Sequence, residues 1–155
     1  MRVIEGSLHL PSGRVAVVAA RFNPYVADGL LAGALRGLQE CGVGADRIDV
    51  VRVPGAFELP LTAKRLAETG RYAAVVCLGA VIRGDTDHYQ YVCQGATQGI
   101  LEAGLRSGVP VIFGVLTCDT EAQALDRAGP NDANKGYEAA RAAVEMASLM
   151  NKLVE

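Results

Sequence analysis

The sequence predicts an α/β protein in which a four-stranded parallel sheet forms the middle of a three-layer sandwich, with helices on both faces. Three observations predict it. Four short runs rich in Val and Ile alternate with longer stretches of helical spacing, the rhythm of repeated βαβ units. These runs are nearly continuous in apolar character, as strands covered on both faces must be. The chain has 155 residues, enough for one complete core and too few for two ordinary domains. Residues 1–155 are therefore expected to form one domain, with 1–12 as an N-terminal arm.

Taken in order, Val3 to Leu10 has strand character but no obvious partner within the domain, and is expected to pair with a neighbouring subunit. The first strand runs from Arg14 to Ala20. Asn23 then reads as an N-cap with Pro24 at the first helical position, and Leu30, Leu31, Ala34, Leu35 and Leu38 recur at helical spacing until Gly42 stops the helix. Ile48 to Val53 is the second strand. Pro54-Gly55 turns the chain into a helix over Phe57 to Glu68, where Pro60 is tolerable only in the first turn. Ala73 to Val81 is the third strand, and Asp85 and Thr86 read as caps of a long helix closing at Ser107-Gly108. After the fourth strand, Pro110 to Thr117, Asp119-Thr120 caps a short helix to about Arg127. A loop from Gly129 to Ala133 leads to a last helix over about Asn134 to Leu153.

Composition restricts the function. Half the residues are hydrophobic, only 21% are charged, and the mean hydropathy is +0.21. That is more apolar surface than a lone small globule comfortably hides, so an oligomer is expected. With 15 basic against 17 acidic residues and no basic run, a nucleic-acid partner is not expected and a small-molecule ligand is. Cys41, Cys77, Cys93 and Cys118 form no CxxC pair and read as reduced structural thiols. Residues 1–10 contain no continuous apolar stretch of the kind a signal sequence carries, and no run approaches the roughly 18 apolar residues of a membrane span, so no membrane association is expected and a cytoplasmic location is.

In an open parallel sheet, ligands bind beyond the carboxyl ends of the strands. Four loops lie there: Arg21 to Asn23, Pro54 to Glu58, Ile82 to His88 and Thr117 to Thr120. Gly84-Asp85-Thr86 before a helix offers free backbone amides and the positive end of the dipole, a natural anion seat, although most capped helices bind no anion. His88 follows in the first turn, and histidine is the side chain best matched to proton transfer near neutral pH. His9, in the arm, reads as structural. Glu58 either complements a helix dipole or accepts hydrogen bonds from a polyhydroxylated ligand. Phe22, at a strand end, is either a core aromatic or a ring free to stack on a planar heterocycle. Arg127 and Lys135, taken alone, read as solvated cations. No metal-binding or nucleotide-binding spacing is found, so neither a metal nor a cofactor is expected.

Together, Arg21-Phe22-Asn23, the stretch Val53 to Pro60, the stretch Gly79 to Tyr89, Phe113 to Thr117, Arg127-Ala128-Gly129 and Asn134-Lys135-Gly136 closely resemble bacterial lumazine synthases over nearly the whole chain. The resemblance implies a flavodoxin-like fold and a cofactor-free condensation of 5-amino-6-(D-ribitylamino)uracil with 3,4-dihydroxy-2-butanone 4-phosphate. It casts His88 as proton shuttle and Arg127 as countercharge, the candidate catalytic pair. It implies that Phe22 stacks on the pyrimidine ring, and that Asn23 and Phe57 are also among the substrate-binding residues. Val81 and Ile82 bond the ring edges through backbone, and Ala56 with Glu58 holds the ribityl chain. Gly84, Asp85 and Thr86 cradle the phosphate mainly through backbone groups, and Arg83 is a further substrate-binding residue. Phe113 and the region from Arg127 to Glu138, Lys135 included, are implied to come from a neighbouring subunit of a pentamer, itself assembled into an icosahedral 60-mer that associates with riboflavin synthase. One departure stands out: Gly129-Pro130-Asn131-Asp132-Ala133 replaces a loop that commonly reads Gly-Thr-Lys-x-Gly. A shell or flavin-binding protein of the same fold without activity is the alternative.

Overall fold

A computed structural model of the chain describes residues 1–154. Strands β1 (Arg14–Ala20), β2 (Ile48–Val53), β3 (Tyr72–Ile82) and β4 (Val111–Cys118) form one sheet in the order β2-β1-β3-β4. Every pairing is parallel. Both faces are covered: β1 is buried from Val15 to Ala20 and β3 from Ala74 to Val81, which is why their apolar character does not alternate. Each strand lies within one residue of its expected bounds at either end.

Helices α1 (Pro24–Glu40) and α5 (Lys135–Leu153) cover one face, with the short α4 (Glu121–Asp126) beside them. Helices α2 (Leu59–Ala67) and α3 (His88–Ser107) cover the other. The two cores that result are built almost wholly from Ala, Val and Leu. Small residues let α1 and α5 approach closely. A Cβ on Gly136 would stand 2.0 Å from the Leu30 carbonyl oxygen, and one on Gly33 would stand 2.1 Å from Asn134 Oδ1.

Several local expectations are corrected. Asn23 precedes α1 but does not cap it with its side chain. It sits in the left-handed region (φ 58°), and its Nδ2 donates to the Ala80 carbonyl at 3.2 Å. The helix expected over Phe57 to Glu68 is split into a 3-10 turn, Ala56–Glu58, and α2, with Pro60 in the first helical turn. Neither Asp85 nor Thr86 is the cap of α3: the capping position is Asp87, which makes no side-chain bond to the helix. The cap of α4 is as expected, and α5 has a side-chain cap that the sequence reading did not assign. Thr120 forms a reciprocal capping box with Gln123, and Asn134 Oδ1 accepts from the Tyr137 amide at 3.0 Å. Within the chain, Val3 to Leu10 forms no strand. The arm lies along α5, where Lys152 Nζ donates to the Glu5 carbonyl at 2.7 Å and the Ser7 amide to Ser148 Oγ at 3.0 Å. It ends with Leu10 buried and the Leu10 carbonyl held by Arg47 at 2.9 Å.

Candidate functional site

The carboxyl ends of three strands are tied together before any ligand is considered. Beyond β1, the amides of Arg21 and Phe22 donate to the carbonyls of Val53 and Pro54 at 2.8 and 3.0 Å, so the end of β2 fixes the backbone that carries the Phe22 ring. The Asn23 amide group fixes the same segment to β3 through Ala80. Held from both sides, Phe22 still exposes 70% of its surface. A ring presented on a braced backbone is poised for stacking rather than for the core.

Phe22 borders a concavity of about 770 Å³, a volume suited to a small organic ligand. Its walls are Pro54 to Glu58 from the turn after β2, Ala80 to Ile82 from the end of β3, Gly84 and Thr86 from the next loop, and His88, Tyr89, Tyr91 and Val92 from α3. Phe57 rests its ring against α3 where Gly95 leaves room, since a Cβ there would stand 2.5 Å from Phe57 Cε1. Glu58, at the end of the 3-10 turn, is exposed at the rim. The wall is mostly apolar, with Glu58 on the turn after β2 and Thr86 and His88 at the end near α3, a few polar groups of the kind that orient a ligand within an apolar pocket.

At that end the loop Gly84–Asp87 offers its amides. Among the described residues, none of those four N–H groups donates to a protein acceptor, and the next, on His88, makes only a long 3.4 Å contact to Thr86 Oγ1. Unpaired amides at a helix start attract an anion. His88 is the first residue of α3, so its imidazole lies beside the seat.

Of the residues expected at the site, Phe22, Ala56, Phe57, Glu58, Val81, Ile82, Gly84, Thr86 and His88 share this one concavity. Asn23, Arg83 and Asp85 do not line it. Asn23 is occupied by Ala80. Arg83 Nε donates to Asp119 Oδ1 at 2.8 Å, and its guanidinium carbon lies 4.4 Å from the centre of the Tyr89 ring; the Asp119 carboxylate raises its pKa. Asp85 is exposed.

Phe113, Arg127 and Lys135 lie elsewhere, in a second concavity of about 420 Å³ along β4, with Thr117, Glu138 and Ala142 among its walls. The two concavities have no lining residue in common. Arg127 and Lys135 are joined through the main chain, the Lys135 amide donating to the Arg127 carbonyl at 2.9 Å. Lys135 Nζ pairs with Glu138 at 3.0 Å and Arg127 Nη1 reaches only the Gln123 carbonyl, so the guanidinium keeps donors for a ligand.

Sequence reasoning missed Tyr91 and Val92 as wall residues, yet their spacing from His88, three and four positions on, places all three on one helical face. It also missed what Tyr89 does. Burial, and then the neighbouring Cys93, push its phenol above the ordinary tyrosine value. Among the described residues, no three His, Cys, Asp or Glu side chains gather in a way that would hold a metal ion. No helix among them is long and apolar enough to cross a membrane.

Residues 12–151 match the family described as 6,7-dimethyl-8-ribityllumazine synthase. A protein of that name from Desulfatibacillum aliphaticivorans is 49% identical over 148 residues, covering 96% of each chain. Another, from Salinibacter ruber, is 52% identical over 150 residues, covering 97% of this chain and 96% of its own.

Proposed function

The chain belongs to the 6,7-dimethyl-8-ribityllumazine synthase family, and from that premise we propose how its residues divide the work. The function is that of a transferase of riboflavin biosynthesis: 5-amino-6-(D-ribitylamino)uracil condenses with 3,4-dihydroxy-2-butanone 4-phosphate to give 6,7-dimethyl-8-ribityllumazine, phosphate and water.

The pyrimidine lies on Phe22, its ring edges bonded by the backbone at Val81 and Ile82, with Ala56 and Glu58 along the ribityl chain. The phosphate of the second substrate sits over the Gly84–Asp87 amides. This puts the ketone beside His88 and within reach of the amine of the first substrate. His88 then relays protons as the imine forms with loss of water, phosphate leaves, and the ribitylamino nitrogen attacks the remaining carbonyl, losing a second water as the ring closes. The substrate carries its own amine, so Lys135 has no covalent part and contributes charge. Both reactants are soluble and intrinsically reactive, and holding them together supplies most of the acceleration.

The single observation that carries this reading is the division of the candidate residues between two concavities of one chain. A phosphate over loop amides calls for a cation, and Arg127 and Lys135 lie in the other concavity. The complete site is therefore shared: the Phe22 half of one subunit meets the Phe113, Arg127 and Lys135 half of the next. The whole chain acts as one domain within an oligomer, a pentamer that packs into an icosahedral 60-mer and associates with riboflavin synthase in the cytoplasm. The loop from Gly129 to Ala133 supports the shell, since it carries no insertion relative to the pattern it replaces.

Subunit complementation tests the shared site. Phe22→Ala and Arg127→Ala each impair a different half, and lumazine formation by each alone is expected to be low. Refolded together at equal amounts, they are expected to recover about one quarter of the parental rate, because random neighbours pair two intact halves at that frequency. A mixture no more active than the average of its components would refute the shared site.

A further inference from the structure

We propose that Arg83 is a positioning residue, clasping the two ends of the Gly84–Asp87 loop so that its amides converge on an anion, and that it is not itself a phosphate ligand. The inference rests on the reading that this loop takes the substrate phosphate. Arg83 stands immediately before the loop, and its amide is fixed to the end of β4 by the Cys118 carbonyl at 2.9 Å. Its guanidinium then turns across the loop to lie 4.4 Å from the centre of the Tyr89 ring, in the first turn of α3. One side chain thus joins the residue before the four loop positions to a residue just after them.

The clasp is anchored at a third point. Asp119, which accepts from Arg83 Nε at 2.8 Å, is itself held, its amide donating to Gln123 Oε1 at 2.9 Å within the capping structure of α4. Among the described residues, the amides of Gly84 to Asp87 have no protein acceptor and the His88 amide makes only the long contact to Thr86 Oγ1, while the Asp87 carbonyl accepts from the Gln90 amide at 2.9 Å in the first turn of α3. The loop is exposed throughout and a Cβ built on Gly84 meets nothing within 4 Å, so its form depends chiefly on how its ends are held. An exposed ion pair alone contributes little. A guanidinium pinned at once by a carboxylate and a ring face is different, because its planar geometry, not its charge alone, sets where the loop can go. Preorganised amides bind an anion without first being ordered, and that saving appears as affinity.

The two roles of Arg83 part company on substitution. A direct ligand acts largely through charge, and Arg83→Lys would retain most of the phosphate affinity that Arg83→Gln loses. A clasp needs the planar fork, so Lys and Gln are expected to weaken phosphate binding alike, about five- to tenfold. Tyr89→Leu removes the ring face with no change of charge and is expected to do the same. The readouts are the dissociation constant of inorganic phosphate, titrated into the assembled protein, and the KM for each substrate. In the Arg83 variants the KM for the phosphate-bearing substrate should rise while kcat changes less than twofold and the thermal midpoint stays within about 2 °C. Arg127→Gln serves as the control. If Arg127→Gln weakens phosphate binding and the Arg83 and Tyr89 variants do not, the clasp is wrong. Near-parental affinity in Arg83→Lys, with loss only in Arg83→Gln, overturns it in favour of direct ligation. If none of these variants alters phosphate binding, the phosphate reading of the loop fails.

Discussion

Replacing Asn134 by Ala should loosen the cation-bearing half of the site, at a cost that follows from its bonds. Asn134 is the one buried polar residue among those described. Its Oδ1 caps α5 through the Tyr137 amide at 3.0 Å. Its Nδ2 donates to the Gly29 carbonyl on α1 at 3.0 Å and to the Gly129 carbonyl at 2.9 Å, and Gly33 leaves the space in which it sits. Losing the cap costs about 1 kcal/mol. Each lost bond to a carbonyl costs about 1 kcal/mol more, giving roughly 3 kcal/mol in all. For a domain of this size, 1 kcal/mol corresponds to about 2–4 °C in the thermal midpoint, so Asn134→Ala should melt roughly 6–12 °C below the parent. Asn134→Ser keeps a capping oxygen but is too short to reach both carbonyls, and should fall between them. Melting must be followed at one protein concentration, because association shifts apparent stability. Arg127 and Lys135 flank this residue, so the KM for the phosphate-bearing substrate should also rise. A midpoint within 2 °C of the parent for Asn134→Ala, with both KM values unchanged, would refute the reasoning.

Two further predictions concern other parts of the fold. Gly95→Ala removes a helix-interior glycine, which should stabilise α3 by roughly 1 kcal/mol. The same Cβ would stand 2.5 Å from Phe57 Cε1 and must displace the ring from its place in the wall of the concavity. The variant should therefore melt higher yet show a KM for the pyrimidine raised roughly fivefold, an affinity loss of about 1 kcal/mol; an unchanged KM would show that the Phe57 position does not matter. At the other end of the sheet, the Tyr72 hydroxyl and then Arg14 hold the Asp49 carboxyl below the usual carboxylate range. Its folded pKa lies below its unfolded value of about 3.9. The stability it contributes is therefore complete above that value and lost as pH falls through the folded pKa. Asp49→Asn should accordingly be less stable than the parent at pH 6, with the gap closing below about pH 4. Parallel thermal midpoints across that range would contradict this.

The strands were legible because covering both faces of a parallel sheet requires continuous apolar runs, and Val15 to Ala20 or Ala74 to Val81 allow no other reading. The cap Thr120 was legible because its bonds are local. Asn23 resembled it in sequence, but a partner 57 positions away takes its amide group, and propensity yields to that tertiary bond. Arg83 follows the same logic. Read alone, it is a cation beside an anion seat; only the folded chain brings Asp119 and Tyr89 to it. How the arm is anchored was not legible, because the burial of Leu10 and its bonds to Cys41 and Arg47 come from packing on distant parts of its own chain.

If the site is shared, the contact that completes it joins unlike surfaces. The Phe22 half lies at the carboxyl ends of β1, β2 and β3, whereas the Arg127 half lies along β4, the edge strand of the sheet. A two-fold interface brings each patch against its own copy, so uniting these two through it would require both patches to fall inside one self-complementary surface. A head-to-tail contact needs no such coincidence. Repeated, it either closes into a ring or runs on as a filament, and closure leaves no half-site unmatched. Every subunit in a closed ring then supplies one ring-stacking half and one cationic half, and the number of complete sites equals the number of chains. An open assembly would leave an unpaired Phe22 half at one end and an unpaired Arg127 half at the other. Catalysis therefore favours the closed ring for a reason separate from the burial of apolar surface.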